Sequence, residues 1–75
     1  MNSRILINPS ICHGKPVIKG TRVLVSNVIA DLAAGSSYDE IIRNYPTISA
    51  DDIRAALEFC SNLANFETVD ADAHV

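Results

Sequence analysis

A chain of 75 residues with a net charge of −3 provides for one small domain and no more. A domain of that size buries only about 60% of the surface its unfolded chain exposes, so it gains from an oligomer interface. No stretch approaches the roughly 20 apolar residues that span a membrane, and the negative charge argues against general binding of nucleic acid.

The charge is unevenly placed. From Met1 to Ala30 there are four cations, Arg4, Lys15, Lys19 and Arg22, and no acid. From Asp31 onward nine acids face only Arg43 and Arg54. Such polarity steers a polyanion to one face, or reflects self-complementary packing between subunits.

The opening "MNSRILINPS" lacks the basic start, apolar run and cleavage site of a signal peptide. The triplet from Asn8 carries the proline that forbids N-glycosylation. Cys12 and Cys60 make no disulfide framework and read as buried or half-buried thiols. The chain therefore reads as soluble and cytoplasmic.

"RILI" is a short extended run closed by the turn signal Asn8-Pro9. In "KPVIKGTRVLV", Val17-Ile18 and Val23-Leu24-Val25 flank Gly20-Thr21, which predicts a tight hairpin. Pro16 lacks an amide donor, so its strand is an edge or begins there. Helical spacing then takes over, with Val25, Val28, Ile29, Leu32 and Ala33 on one stripe, Ser26 as cap and Gly35 as terminator. A second helix opens on the capping box Ser37-x-x-Glu40, aligns Tyr38, Ile41, Ile42 and Tyr45, and stops at Pro46. A third opens on Ser49-x-x-Asp52, with Ile48 placed to staple onto Ile53. Its stripe runs through Ala56, Leu57, Cys60 and Leu63-Ala64. The fold is thus mostly α: a short N-terminal β-element and a three-helix helix-turn-helix domain over residues 1–66. Residues 67–75 form an acidic tail that stays flexible unless a partner holds it.

"CHGKPVIKGTR" concentrates the cations. It is not a nucleotide-hydrolysing phosphate loop, because no Gly-Lys-Ser/Thr precedes a helix. Binding of a nucleic-acid backbone or an acidic protein face is plausible, and a solvated hairpin carries equal weight. A zinc site at Cys12-His13 would need Cys60 or His74 as further ligands. A Cys12-His13 dyad fails if the two are strand neighbours facing opposite ways. The acid pairs Asp39-Glu40 and Asp51-Asp52 fall in first helical turns, where capping and the helix dipole explain them. The sequence therefore assigns no enzyme activity, catalytic residue, metal or cofactor.

In a helix-turn-helix reader the third helix meets base edges with its first turn. Here that turn is Ala50, Asp51 and Asp52, with Arg54 its nearest cation, and carboxylates oppose phosphates. The candidate nucleic-acid contacts are therefore Lys15, Lys19 and Arg22, with Arg4 and Arg54 beside them. Gly14, Gly20 and Thr21 are assigned to structural turns. Lys15 and Lys19 are read as the main polyanion contacts. Arg22 is read as mostly structural, paired with an acid such as Asp31 or Glu40.

Gly14-Lys15-Pro16, Ile18 and Gly20-Thr21-Arg22 are followed by Glu40-Ile41, Tyr45-Pro46, Asp52-Ile53 and Ala56-Leu57. This pattern, from Asn8 to Ala64, resembles the small prokaryotic family catalogued as domain of unknown function 433. The resemblance implies a homeodomain-like helix-turn-helix. It also implies an antitoxin of a toxin–antitoxin pair, with a nuclease of PIN-like fold as partner and operator DNA as a possible ligand. The alternative is a protein-interaction or oligomerisation module that does not bind DNA. Either way a homodimer or larger oligomer is expected, built with the N-terminal strands or the third helix.

Overall fold

The computed structural model describes residues 3–65; the tail expected over 67–75 lies outside them. Two short strands, β1 (Ile5–Leu6) and β2 (Val17–Ile18), precede three helices, α1 (Val25–Ala33), α2 (Tyr38–Asn44) and α3 (Ala50–Asn65). The strands pair antiparallel, Ile5 opposite Ile18 and Leu6 opposite Val17.

The partner of β2 is therefore "RILI", where the sequence pattern pointed to Val23, Leu24 and Val25. The expected hairpin exists in shortened form. Val17 bridges to Leu24, and the flanking bonds run from the Ile18 amide to the Val23 carbonyl (2.9 Å) and from the Val25 amide to the Pro16 carbonyl (3.0 Å). Beyond that point the chain is already helical, because α1 begins at Val25.

The same bond corrects the start of α1. Its N-cap is Leu24, with no side-chain hydrogen bond, and Ser26 sits inside the first turn. The β-ladder already satisfies the Val25 amide, so one of the orphan donors of a helix start has a partner without a serine. The other end matches its signals. Gly35 takes φ +98°, its amide reaches the Leu32 carbonyl, and the Ser36 amide reaches Asp31, each at 3.0 Å. That pair of bonds is a Schellman motif.

α2 carries the full capping box: the Ser37 amide donates to Glu40 Oε1 (2.7 Å) and the Glu40 amide to Ser37 Oγ (3.1 Å). α3 repeats it, with the Ser49 amide on Asp52 Oδ2 (2.9 Å) and the Asp52 amide on Ser49 Oγ (3.3 Å). Ile48 and Ile53 flank this cap, and both are buried in the core, as a hydrophobic staple requires.

The core gathers Ile5 and Ile18 from the sheet, Val25 and Val28 from α1, Ile41 from α2, and Ile48, Ile53, Ala55 and Ala56 at and along α3. Tyr38, Ile42, Tyr45, Phe59 and Cys60 pack around it, partly buried. The α3 stripe outruns this core. Leu57 and Leu63, expected inside, are 40% and 59% exposed.

Candidate nucleic-acid interface

The cation-bearing segment is built from two tight turns. In the first, residues 12–14 wind left-handed: Cys12 at φ 50°, His13 at 58° and Gly14 at 81°. Only the glycine adopts this region freely. The chain is led into it by an Asx-type turn, the Ser10 amide on Asn8 Oδ1 (2.8 Å) and the Ile11 amide on the Asn8 carbonyl (2.9 Å). The Gly14 and Lys15 amides close it on the Ile11 and Cys12 carbonyls, at 3.0 and 3.2 Å. Cys12 and His13 are thus turn residues and not strand neighbours, so strand alternation does not decide their orientation. The Cys12 thiol instead makes a weak contact to the Arg22 carbonyl at 3.9 Å and is unbridged, as is Cys60. Among the described residues no three His, Cys, Asp or Glu side chains gather as metal ligands; His74 lies outside them.

The second turn spans residues 18–21. The Thr21 amide donates to the Ile18 carbonyl at 3.0 Å, and Gly20 takes φ +84°, the signature of a type II turn. No atom lies within 4 Å of where a Gly20 Cβ would stand, so backbone conformation and not space selects glycine. Thr21 clips the turn shut. Its hydroxyl donates to the Ile18 carbonyl (2.7 Å) and accepts from the Val23 amide (3.0 Å).

These turns leave Lys15, Lys19 and Arg22 exposed. Among the described residues none of the three enters an ion pair. Arg22 does not pair with Asp31 or Glu40; the Glu40 carboxylate is engaged by Ser37. The Lys19 amide is pinned to the Arg4 carbonyl at 2.7 Å, which ties the turn to β1.

Arg4 and Arg54 are placed differently. Arg4 reaches across the fold to the first turn of α3, 2.9 Å from Asp52 Oδ1 and 3.7 Å from Asp51 Oδ2. Arg54 pairs with Asp51 from within α3. Arg4, Asp51 and Arg54, with Ser3, Ala55 and Glu58, rim a shallow depression, and none of Lys15, Lys19 and Arg22 lines it. Burial pushes the Asp52 carboxyl up, but hydrogen bonds from the Ser49 amide, Arg4 and the Ser49 hydroxyl, with the Arg4 charge, pull it further down, below its ordinary 3.8. The Asp52 side chain is 13% exposed against 59% for Asp51, so Asp52 is the anchored partner. Sequence reasoning missed this link because its ends lie 48 positions apart. The available signal was the pair of adjacent acids in the first turn of α3, of which the capping box uses only Asp52.

The basic and acidic halves of the chain thus meet within one subunit through Arg4. Among the described residues the N-terminal cations left facing solvent outside any ion pair are Lys15, Lys19 and Arg22, and Arg43 on α2 is exposed and outside any ion pair as well. No helix among the described residues is long and apolar enough to cross a membrane.

Residues 5–60 match the model of the family described as "Protein of unknown function (DUF433)". The uncharacterized protein y4eO of Sinorhizobium fredii (strain NBRC 101917 / NGR234) is 43% identical over 49 residues, which are 65% of this chain and 22% of that protein. The chain therefore spans about a fifth of that curated relative's length. The crystal structure of a DUF433 member protein from Anabaena variabilis ATCC 29413 superimposes with a TM-score of 0.74 at 32% identity, over 92% of this chain and 66% of that one.

Proposed function

The chain belongs to the DUF433 family, and from that premise and the two cationic turns we propose that it is an antitoxin-like, DNA-binding protein. In this reading it neutralises a nuclease of PIN-like fold, regulates the operon that encodes the pair, and catalyses nothing itself. The observation that carries the DNA-binding part is the contrast among the cations. Arg4 and Arg54 are engaged by Asp51 and Asp52, whereas Lys15, Lys19 and Arg22 are exposed and outside any ion pair among the described residues. The β-element is therefore the part suited to phosphates, as an arm or ribbon in a groove. The first turn of α3 presents carboxylates and is not the reading head.

The test is a gel shift with the DNA upstream of the gene, on the parent and on Lys15→Ala/Lys19→Ala. The double variant should bind more weakly. Its log K against log salt slope should flatten by about 0.9 for each phosphate that the protein no longer neutralises. Parent and variant binding alike, with one salt slope, would remove the DNA-binding role. Copurification with a nuclease encoded beside it, and loss of that nuclease's RNA cleavage on binding, checks the antitoxin part separately.

A second reading, a protein-interaction module without DNA binding, is favoured by the uncharged, exposed end of α3. It predicts the nuclease complex and no shift of any DNA above background.

A further inference from the structure

We propose that the turn over residues 18–21 enters the minor groove of A·T-rich duplex DNA, with Lys19 inside the groove and Lys15 and Arg22 on the flanking phosphates. This placement rests on the DNA-binding reading and adds to it the groove, the base class and a role for Gly20. The tip of the turn is slim. Gly20 is exposed, and no atom lies within 4 Å of the place its Cβ would take. Thr21 folds its hydroxyl back onto the Ile18 carbonyl and the Val23 amide. Of the two central residues of the turn, only Lys19 presents a side chain. Its direction follows from strand alternation. The Ile18 amide bonds to Val23 and the Lys19 amide to Arg4, so the alternation carries through residue 19. Ile18 joins the helical core, which turns Lys19 to the opposite face. Lys15, extended at φ −75° and ψ 146°, lies on that same face four residues back, roughly 13 Å along the strand.

Size and chemistry select the groove. The major groove, about 12 Å wide, is filled by a helix or a two-stranded ribbon and is read by side chains that match donors and acceptors to base edges. This tip offers an ammonium, a bare backbone and a hydroxyl already engaged, so it has nothing with which to tell base pairs apart there. The minor groove is about 6 Å wide, and where A·T pairs narrow it, its negative potential draws in Lys or Arg. A glycine lets the backbone follow the lysine in. In G·C pairs the guanine amino group projects into this groove as a donor, where it meets the ammonium with the wrong polarity. The tip is also ordered before binding, by the Lys19 amide on Arg4 (2.7 Å) and by the Thr21 hydroxyl, so little conformational freedom is lost in the complex.

The test is fluorescence anisotropy of the full chain with two duplexes of equal length, one with an A·T centre and one with a G·C centre. Netropsin, which occupies the A·T minor groove, and methyl green, which occupies the major groove, serve as competitors. Gly20→Asn adds a side chain at the tip without charge, and asparagine tolerates a positive φ; circular dichroism checks that it folds. The parent should prefer the A·T duplex by about tenfold, and Gly20→Asn should lose most of that preference. Netropsin should displace the parent and methyl green should not. A parent that binds both duplexes alike and ignores netropsin would overturn the minor-groove placement, whatever Gly20→Asn does. If Lys15→Ala/Lys19→Ala still weakens binding in that case, the DNA-binding reading survives without it. Displacement by methyl green, or a folded Gly20→Asn that keeps the full preference, would overturn the placement too. Binding of neither duplex above background would remove both.

Discussion

Thr21 does at residue scale what a longer strand would otherwise do. A hairpin arm that ends after one bridge holds few ladder bonds, and the threonine hydroxyl adds two, to the Ile18 carbonyl and from the Val23 amide. Thr21→Val keeps the shape and removes both, so it should cost about 1–2 kcal/mol in urea denaturation, with Thr21→Ser retaining most of that. A valine variant as stable as the parent would show that the clip is incidental. Asp52 supplies a second, pH-dependent case. Its carboxyl lies below 3.8 and that of Glu40, through the hydrogen bonds from Ser37, lies below 4.5. In acid the unfolded chain therefore takes up protons at these sites before the folded chain does. Their contribution is fully present above those ordinary values and is lost as pH falls through the lower folded ones. Thermal melts from pH 7 to pH 3 should show the decline. Ser49→Ala should lower stability by about 1 kcal/mol at neutral pH, as loss of an N-cap does, and make the acid decline shallower.

At the scale of elements, the helices were legible because their signals are local. Each capping box spans four consecutive residues, and Gly35 falls where the α1 stripe runs out. The Schellman motif there makes a direct prediction. Gly35→Ala meets no atom within 4 Å, so its cost is that of a left-handed alanine alone, about 1–2 kcal/mol. Ser26→Ala should change stability by less than about 0.5 kcal/mol, because Ser26 caps nothing. Equal losses at the two positions in chemical denaturation would contradict these roles for Gly35 and Ser26. The β-element was only half legible for the opposite reason. Strands of two residues offer no alternation to count, so the sequence distinguished poorly between residues 23–25 and Ile5–Leu6 as partners of Val17-Ile18. The choice between them is made by the helix that claims Val25 and by the core that takes Ile5, which are tertiary facts. The left-handed turn at Cys12-His13 was hidden likewise, since only Gly14 announces it. Of the candidate site, the exposure of Lys15 and Lys19 followed from their place around turns, whereas the exposure of Arg22, read as a structural partner of an acid, and the diversion of Arg4 to α3 depend on how the folded chain places the acids.

Across the whole molecule, that diversion redistributes charge. The sequence divides into a basic beginning and an acidic remainder, but among the described residues the folded chain joins them through Arg4 at the start of α3 and leaves Lys15, Lys19 and Arg22 in solvent. Arg4 is therefore a structural cation and Arg22 a surface one, the reverse of what turn chemistry alone implied for Arg22. Stability measurements separate the two. Arg4→Ala withdraws a guanidinium from Asp52, whose side chain is only 13% exposed, and should cost about 1 kcal/mol. Arg22→Ala removes an exposed side chain with no ion pair among the described residues and should stay within about 0.5 kcal/mol of the parent. Salt gives the independent check. Raising it from about 0.1 M to about 1 M shortens the screening length from roughly 10 Å to 3 Å, which weakens the Arg4 pairs in the parent and has nothing comparable to weaken in Arg4→Ala. The stability gap between those two proteins should narrow with salt, while the gap between the parent and Arg22→Ala should stay near zero. A large loss in Arg22→Ala, or a gap for Arg4→Ala that salt leaves unchanged, would mean that the charge halves are joined elsewhere than at the start of α3.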